Sequence, residues 1–176
     1  MSLFQSAIQK GIAAQCFKKL LVVHKISRLS RFQRQGVLMT PYVEKYYKQS
    51  LENTHNDHHG VINTFVDYAK RMGKEVTVIA EDDILETATA NELCPDVDMV
   101  VSMGGDHTFL RAQALLPDRT VPIIGLNTKR GTFEGVLNTQ HIDYEFRETM
   151  SANLLEMLED ESAVSYEKRS RILFES

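Results

Sequence analysis

The chain has 176 residues, of which 43% are hydrophobic and 25% charged, the proportions of an ordinary globular protein with room for one domain or one domain and the start of another. No apolar run approaches the ~18 residues of a membrane-spanning helix. The cysteines, Cys16 and Cys94, form no CxxC or Cys/His metal spacing, so a membrane protein, a disulfide scaffold and a zinc finger are excluded, and both thiols are expected to be reduced, at least one of them buried.

The net charge of −4 is unevenly spread. Residues 1–43 contain no Asp or Glu but carry Lys10, Lys18, Lys19, Lys25, Arg28, Arg31 and Arg34; the first acid is Glu44. Aromatic interleaving is sparse and the remainder is acidic, which argues against nucleic acid as a partner. An acid-free, Ser-containing start also fits an organelle-targeting peptide, with a frayed, solvated terminus as the alternative.

Along the chain, Leu20-Leu21-Val22-Val23-His24 predicts a strand buried on both faces. The polar stretch Ile26–Asn56 reads as a surface excursion, part of it helical where Tyr42, Val43, Tyr46 and Tyr47 recur at helical spacing. A helix over His58–Met72 follows, with Val61, Ile62, Phe65, Val66 and Ala69 on one stripe, Asn56 or Asp57 as cap and Gly73 at its end. Glu75–Ile79 predicts a second strand, and Glu81–Leu93 a short acidic helix and turn closed by Pro95. The strand Val97–Met103 runs into Gly104-Gly105-Asp106, a helix spans Thr108–Leu115, and Pro117 ends it. Val121–Leu126 is a further strand, His141–Glu159 an amphipathic helix, and Ala163–Phe174 a final strand. Strands alternating with helices imply a mainly parallel, doubly wound open α/β sheet.

One stretch carries chemistry, Asp98 to Leu110, where a buried strand meets paired glycines and a helix starts at once. Gly104 and Gly105 are expected to take positive φ and let a phosphate approach the backbone. The helix N-terminus favours an anion, and Thr108 adds a hydroxyl. A carboxylate at Asp106 beside an anion site suggests a proton acceptor or a Mg²⁺ ligand. Read alone, Gly-Gly-Asp is equally a tight turn with an Asp cap. His55, His58 and His59 with Asp57 resemble metal spacing but are read as a solvated helix end, with no metal assigned.

The longer pattern Gly104-Gly105-Asp106-His107-Thr108-Phe109-Leu110 resembles the Gly-Gly-Asp-Gly-Thr signature of NAD kinases. Pro122-Ile123-Ile124-Gly125-Leu126-Asn127-Thr128 is similar to the strand of that family ending in Gly-Val-Asn. Asn127-Thr128, then Lys129-Arg130 and Phe133-Glu134-Gly135, resemble the mitochondrial-type branch. The resemblance implies an N-terminal extension over 1–19, an α/β nucleotide-binding kinase domain over 20–162, and the first strand of a second, all-β domain over 163–176. It implies ATP-dependent phosphorylation of the NAD 2′-hydroxyl to NADP, with ATP and NAD as substrates, Mg²⁺, a homodimer and a mitochondrial location, the cytoplasm being the alternative. Asp106 takes the role of base. Gly104, Gly105, His107, Thr108 and Arg111 face phosphates, and Asn127 and Thr128 hold NAD. His107 replaces a family glycine, so the site is either crowded at a position needing positive φ or supplied with a new donor. The alternative function is a catalytically impaired nucleotide-binding or assembly module; a third reading is an unrelated α/β binding domain with a chance Gly-Gly-Asp turn.

Overall fold

A computed structural model describes residues 17–36, 40–84, 88–116, 121–128, 140–142 and 144–160. Its centre is a parallel sheet of β1 (Lys19–His24), β2 (Glu75–Ala80), β3 (Met99–Met103), β4 (Ile123–Asn127) and the two-residue β5 (Gln140–His141), in the order β2-β1-β3-β4-β5. The continuous apolar run of β1 is explained by its central place: Leu20 and Val22 face one layer, Leu21 and Val23 the other, and all four are fully buried. This is the doubly wound arrangement expected from the alternation of elements.

One layer is α2 (Pro41–Arg71) with α5 (Arg147–Glu159), whose Val61, Phe65, Ala69, Leu155 and Leu158 cover Leu20, Val22, Met99 and Val101. The opposite layer holds α3 (Ala90–Leu93) and α4 (Asp106–Ala114), where Ala90, Ala112 and Leu115 cover Leu21, Val23 and Val100 with the free, buried Cys94. The short α1 (Arg28–Arg34) follows β1 and is capped by Ser27, whose side chain accepts from the Ser30 amide.

Four expectations are corrected. The helix expected over 58–72 is the second half of a 31-residue α2 that starts at Pro41. Its cap is Thr40, which accepts from the Val43 amide at 3.3 Å, rather than Asn56 or Asp57. Proline at the first helical position and the Glu44–Lys48 pair support a beginning that carries little buried apolar surface. The C-terminal helix begins at Arg147 instead of His141, because Gln140 and His141 pair with Leu126 and Asn127 as β5. The acidic stretch 81–93 is split into a 3₁₀ turn at Glu81–Asp83 and α3, the latter fixed by a capping box between Thr89 and Glu92. The strand expected from Val121 starts at Ile123. The strand expected over 163–174, Cys16, and Phe133-Glu134-Gly135 lie outside the described residues.

At the amino ends of the strands, Asp98 Oδ2 accepts from the backbone amides of Lys18 and Lys19, both at 2.8 Å. Nearby, the buried Lys74 ammonium donates to the Phe17 carbonyl at 2.7 Å and pairs with the Glu159 carboxylate. Gly60 lies mid-helix on α2, where glycine costs about 1 kcal/mol relative to Ala. A Cβ there would run into the Tyr144 ring, so the residue admits the turn that leads into α5.

Candidate functional site

Strand order reverses direction at β1: the chain leaves it toward β2 on one side, and β3 lies on the other. Crevices outside the carboxyl ends of such strands are where open α/β sheets bind ligands. Here the backbone ladder continues past the strands, with Lys25 N–H donating to Met103 O (3.1 Å) and Gly104 N–H to Leu126 O (2.9 Å). The Gly-Gly-Asp turn is therefore held between the ends of β1 and β4.

The two glycines serve different purposes. A Cβ at Gly104 would lie 2.9 Å from Thr108 Cβ, closer still to its hydroxyl, and 3.1 Å from Lys25 Cβ. Gly104 thus lets Thr108, 2% exposed, pack its hydroxyl under the turn. Gly105 caps α4 with φ −100° and ψ −172°, and nothing lies within 4 Å of where its Cβ would be. Positive φ is confined, among the described residues, to Gly36, Gly73 and Asp96. The expected left-handed backbone at Gly104 and Gly105 is therefore corrected; close packing explains Gly104 and open approach space surrounds Gly105.

Asp106 is the first residue of α4 and half-buried, where the positive end of the helix dipole favours its carboxylate. His107 occupies ordinary α-helix, so the expected backbone strain at this position is absent. Its side chain is 76% exposed, with Nδ1 3.4 Å from the buried Glu81 carboxylate, which also lies 4.0 Å from the Arg31 guanidinium. Arg111 is half-buried, and its Nη2 donates to the Ile84 carbonyl at 3.0 Å. This bond ties α4 to the segment after β2.

Asn127 and Thr128 are buried at the end of β4, and the Asn127 carbonyl accepts from Ile142 N–H at 2.9 Å. Thr128 Oγ1 is 2.7 Å from His58 Nδ1, while His58 Nε2 is 2.9 Å from the Lys25 carbonyl. A carbonyl only accepts, so Nε2 carries the proton and Nδ1 accepts from the Thr128 hydroxyl. Burial pushes the His58 pKa down to about 3, which keeps the ring in this neutral form. His58, 1% exposed, is consequently a strut between the ends of β1 and β4 across the Gly-Gly-Asp turn. The solvated helix end expected for this residue is corrected. His55 and His59 are only partly buried; His55 Nδ1 is 2.7 Å from Ser27 Oγ, and burial lowers His59 to about 4. The signal available in the sequence was the spacing of positions 55, 58 and 59, which shares one helix face once α2 begins before it.

The fold thus brings Gly104–Thr108 together with Asn127 and Thr128 and adds His58 and Glu81 beside them. Among the described residues no group of three His, Cys, Asp or Glu side chains is arranged to hold a metal ion, and no helix is long and apolar enough to cross a membrane.

Residues 12–154 match the family described as the ATP-NAD kinase N-terminal domain. The chain belongs to that family. Among curated relatives, an NAD kinase of Carboxydothermus hydrogenoformans is 28% identical over 89 residues, 51% of this chain and 32% of that protein. One of Flavobacterium psychrophilum is 25% identical over 118 residues, 67% of this chain and 32% of that protein. One of Methanothermobacter thermautotrophicus is 47% identical over 32 residues, 18% and 11% of the two chains. The longest of these matches spans about a third of the relative. These relatives are bacterial and archaeal, and the mitochondrial-type branch draws no support from them. In this NAD kinase domain the Gly-Gly-Asp turn lies beside the end of β4, where Asn127 and Thr128 stand.

Proposed function

We propose that the protein phosphorylates the 2′-hydroxyl of the NAD adenosine ribose with ATP, giving NADP. The observation that carries this reading is the place of Asp106: a half-buried carboxylate at the start of α4, on the switch-point crevice, in a domain of the NAD kinase family. In the reaction the 2′-oxygen attacks the terminal phosphorus of ATP while its proton passes to the Asp106 carboxylate. The new oxygen–phosphorus bond forms as the bond to the ADP oxygen breaks. ADP leaves with that electron pair, and Asp106 returns the proton to solvent.

Gly105 leaves the backbone open to a phosphate, and the first turn of α4 supplies its positive dipole end. His107 offers an exposed imidazole to the same group. Thr108 supports the turn from below, and Arg111 holds α4 in place through Ile84. Asn127 and Thr128 line the NAD side, with the Thr128 hydroxyl oriented by His58. Mg²⁺, which keeps several waters and binds through substrate phosphates, would enter with ATP and neutralise phosphate charge; the Asp106 carboxylate is kept for the proton. The impaired-module alternative rested in part on strain at His107, and that residue lies in regular helix.

The test is NADP formation from NAD and ATP by the full-length protein. Turnover above the background of an Asp106→Asn variant is expected; none above it overturns the reading. We further propose the mitochondrial-type branch, supported by the Asn127-Thr128 to Glu134-Gly135 pattern, and a mitochondrial location, supported by the acid-free residues 1–43. A fluorescent fusion of residues 1–43 that stays diffuse in the cytosol removes the second. The homodimer drawn from the family resemblance is checked by the mass in sedimentation.

A further inference from the structure

Beside the turn four imidazoles gather, one of them His58, the ring that orients Thr128. His24 at the end of β1 meets His58 and His59 of α2 at ring-centroid distances of 5.9 and 5.6 Å; His59 lies 4.3 Å from His55 and 5.3 Å from His58. A cavity of about 380 Å³ opens onto this cluster, lined by His24, Ile26, Ser30, Gln33, Arg34 and His59. Ser30, Gln33 and Arg34 stand at i, i+3 and i+4 on one face of α1 and form a wall opposite the histidines.

Three properties of the cavity define its ligand. Five of its six lining side chains are polar and none is acidic. His59 Nε2 is shielded from solvent and has no hydrogen-bond partner, the condition of a buried polar atom awaiting one. The nearest carboxylate on this side, Asp83, is engaged by Arg34 through Nη1 and Nη2, which leaves the other N–H donors of the guanidinium. Burial, and after it the neighbouring histidines, make His58 and His59 harder to protonate.

We infer that this cavity binds a tetrahedral oxyanion, a phosphate group either free or at the end of a nucleotide, and takes up a proton on the histidine cluster as it does so. Arg34, Ser30 and Gln33 supply donors from α1, and His59 Nε2 supplies one from α2. The charge that drives proton uptake comes from the ligand. The groups facing the cluster are His24 of β1, Lys25 directly after it, Arg34 of α1, His55 and His58 of α2 and, across Arg34, Asp83. The inference is independent of phosphoryl transfer at Asp106.

The test follows the imidazole resonances of the whole chain by NMR while inorganic sulfate is added. Sulfate keeps its charge between pH 5 and 8, so any pH dependence belongs to the protein. The expected result is saturable shifts at His24 and His59, with affinity about tenfold tighter at pH 5.5 than at pH 8. Arg34→Gln should weaken binding about tenfold, and Ser30→Ala and Gln33→Ala less, with the remaining spectrum unchanged; Asp106→Asn should leave the sulfate shifts intact. Parallel titrations with phosphate and AMP distinguish the sources: equal affinity marks a free-anion site, and tighter AMP binding marks a nucleotide site. Shifts that are absent, that do not saturate, or that persist undiminished in all three α1 variants overturn the proposal.

Discussion

The two ends of the parallel sheet are built by opposite rules. At the amino end the polar side chains close on the protein itself: Asp98 accepts from two backbone amides, and Lys74 spans the Phe17 carbonyl and Glu159. At the carboxyl end Gly105 faces open space, His107 is exposed, and a shielded histidine nitrogen has no partner. Buried polar groups are ordinarily satisfied inside the fold. An end that leaves such a group unmatched beside a helix N-terminus is arranged for something from outside. Substitutions at the first end should therefore change stability alone, and substitutions at the second should change binding and turnover.

The largest effect expected is at Asp106. Asp106→Asn keeps the shape of the turn and removes the base, so NADP formation should fall by about 10²–10⁴-fold, with nucleotide affinity unchanged or slightly higher. Wild-type turnover in that variant breaks the catalytic half of the comparison. At the opposite end, Lys74→Met strips the pair from Glu159 and the Phe17 carbonyl, and chemical denaturation should show a loss of about 2–3 kcal/mol. Nucleotide affinity, measured by calorimetry, should not move; if it does, the ends are coupled. Within the turn the glycines should separate. Gly104→Ala forces Thr108 or Lys25 aside and should cost about 1–3 kcal/mol. Gly105→Ala meets no atoms and should cost less than about 1 kcal/mol in stability, while weakening nucleotide binding. Equal stability costs at the two positions would remove the distinction drawn between them.

A further effect is one of pH. His58 and His59 have pKa values lowered from 6.5 to about 3 and about 4, so below about pH 6.5 the unfolded chain binds protons that the folded chain refuses. Stability then rises with pH through that window: it is complete above about pH 6.5 and declines as the pH falls toward 3–4. Urea midpoints between pH 7.5 and 5 should show this slope, and it should flatten in His58→Gln. A slope unchanged by that substitution would place the acid sensitivity elsewhere.

Much of this was legible in the sequence because it is local or periodic. Leu20–Val23 announced a central strand, Val61 to Ala69 a packed helix face, and Gly104-Gly105-Asp106 a turn at a strand end. What failed to show depended on partners far along the chain. Tyr42, Val43, Tyr46 and Tyr47 gave the start of α2 a helical spacing, but not its union with the helix after it, because capping by Thr40 and Pro41 rather than burial defines that start. His58 reads as one polar residue in a His-rich stretch until the fold places Lys25 on one side of it and Thr128 on the other. The purpose of Gly104 was likewise hidden, since the residue it accommodates, Thr108, lies one turn into the next helix. Arg111 reads as a phosphate contact for the same reason, its acceptor being 27 residues away at Ile84.

The central position of β1 also governs the order in which the chain can fold as it is made. Leu20 is paired with Val76 on one edge and Met99 on the other, so β1, the first of the described strands, waits for β3 to gain its second neighbour. At about 5–20 residues per second, several seconds pass between the emergence of β1 and that of the second strand that covers it. Both edges of this apolar segment stay open until β2 emerges, and one stays open until β3 does, the kind of edge that recruits other chains. The nascent polypeptide is thus most prone to aggregate before β3, the strand that delivers the Gly-Gly-Asp turn, has left the ribosome.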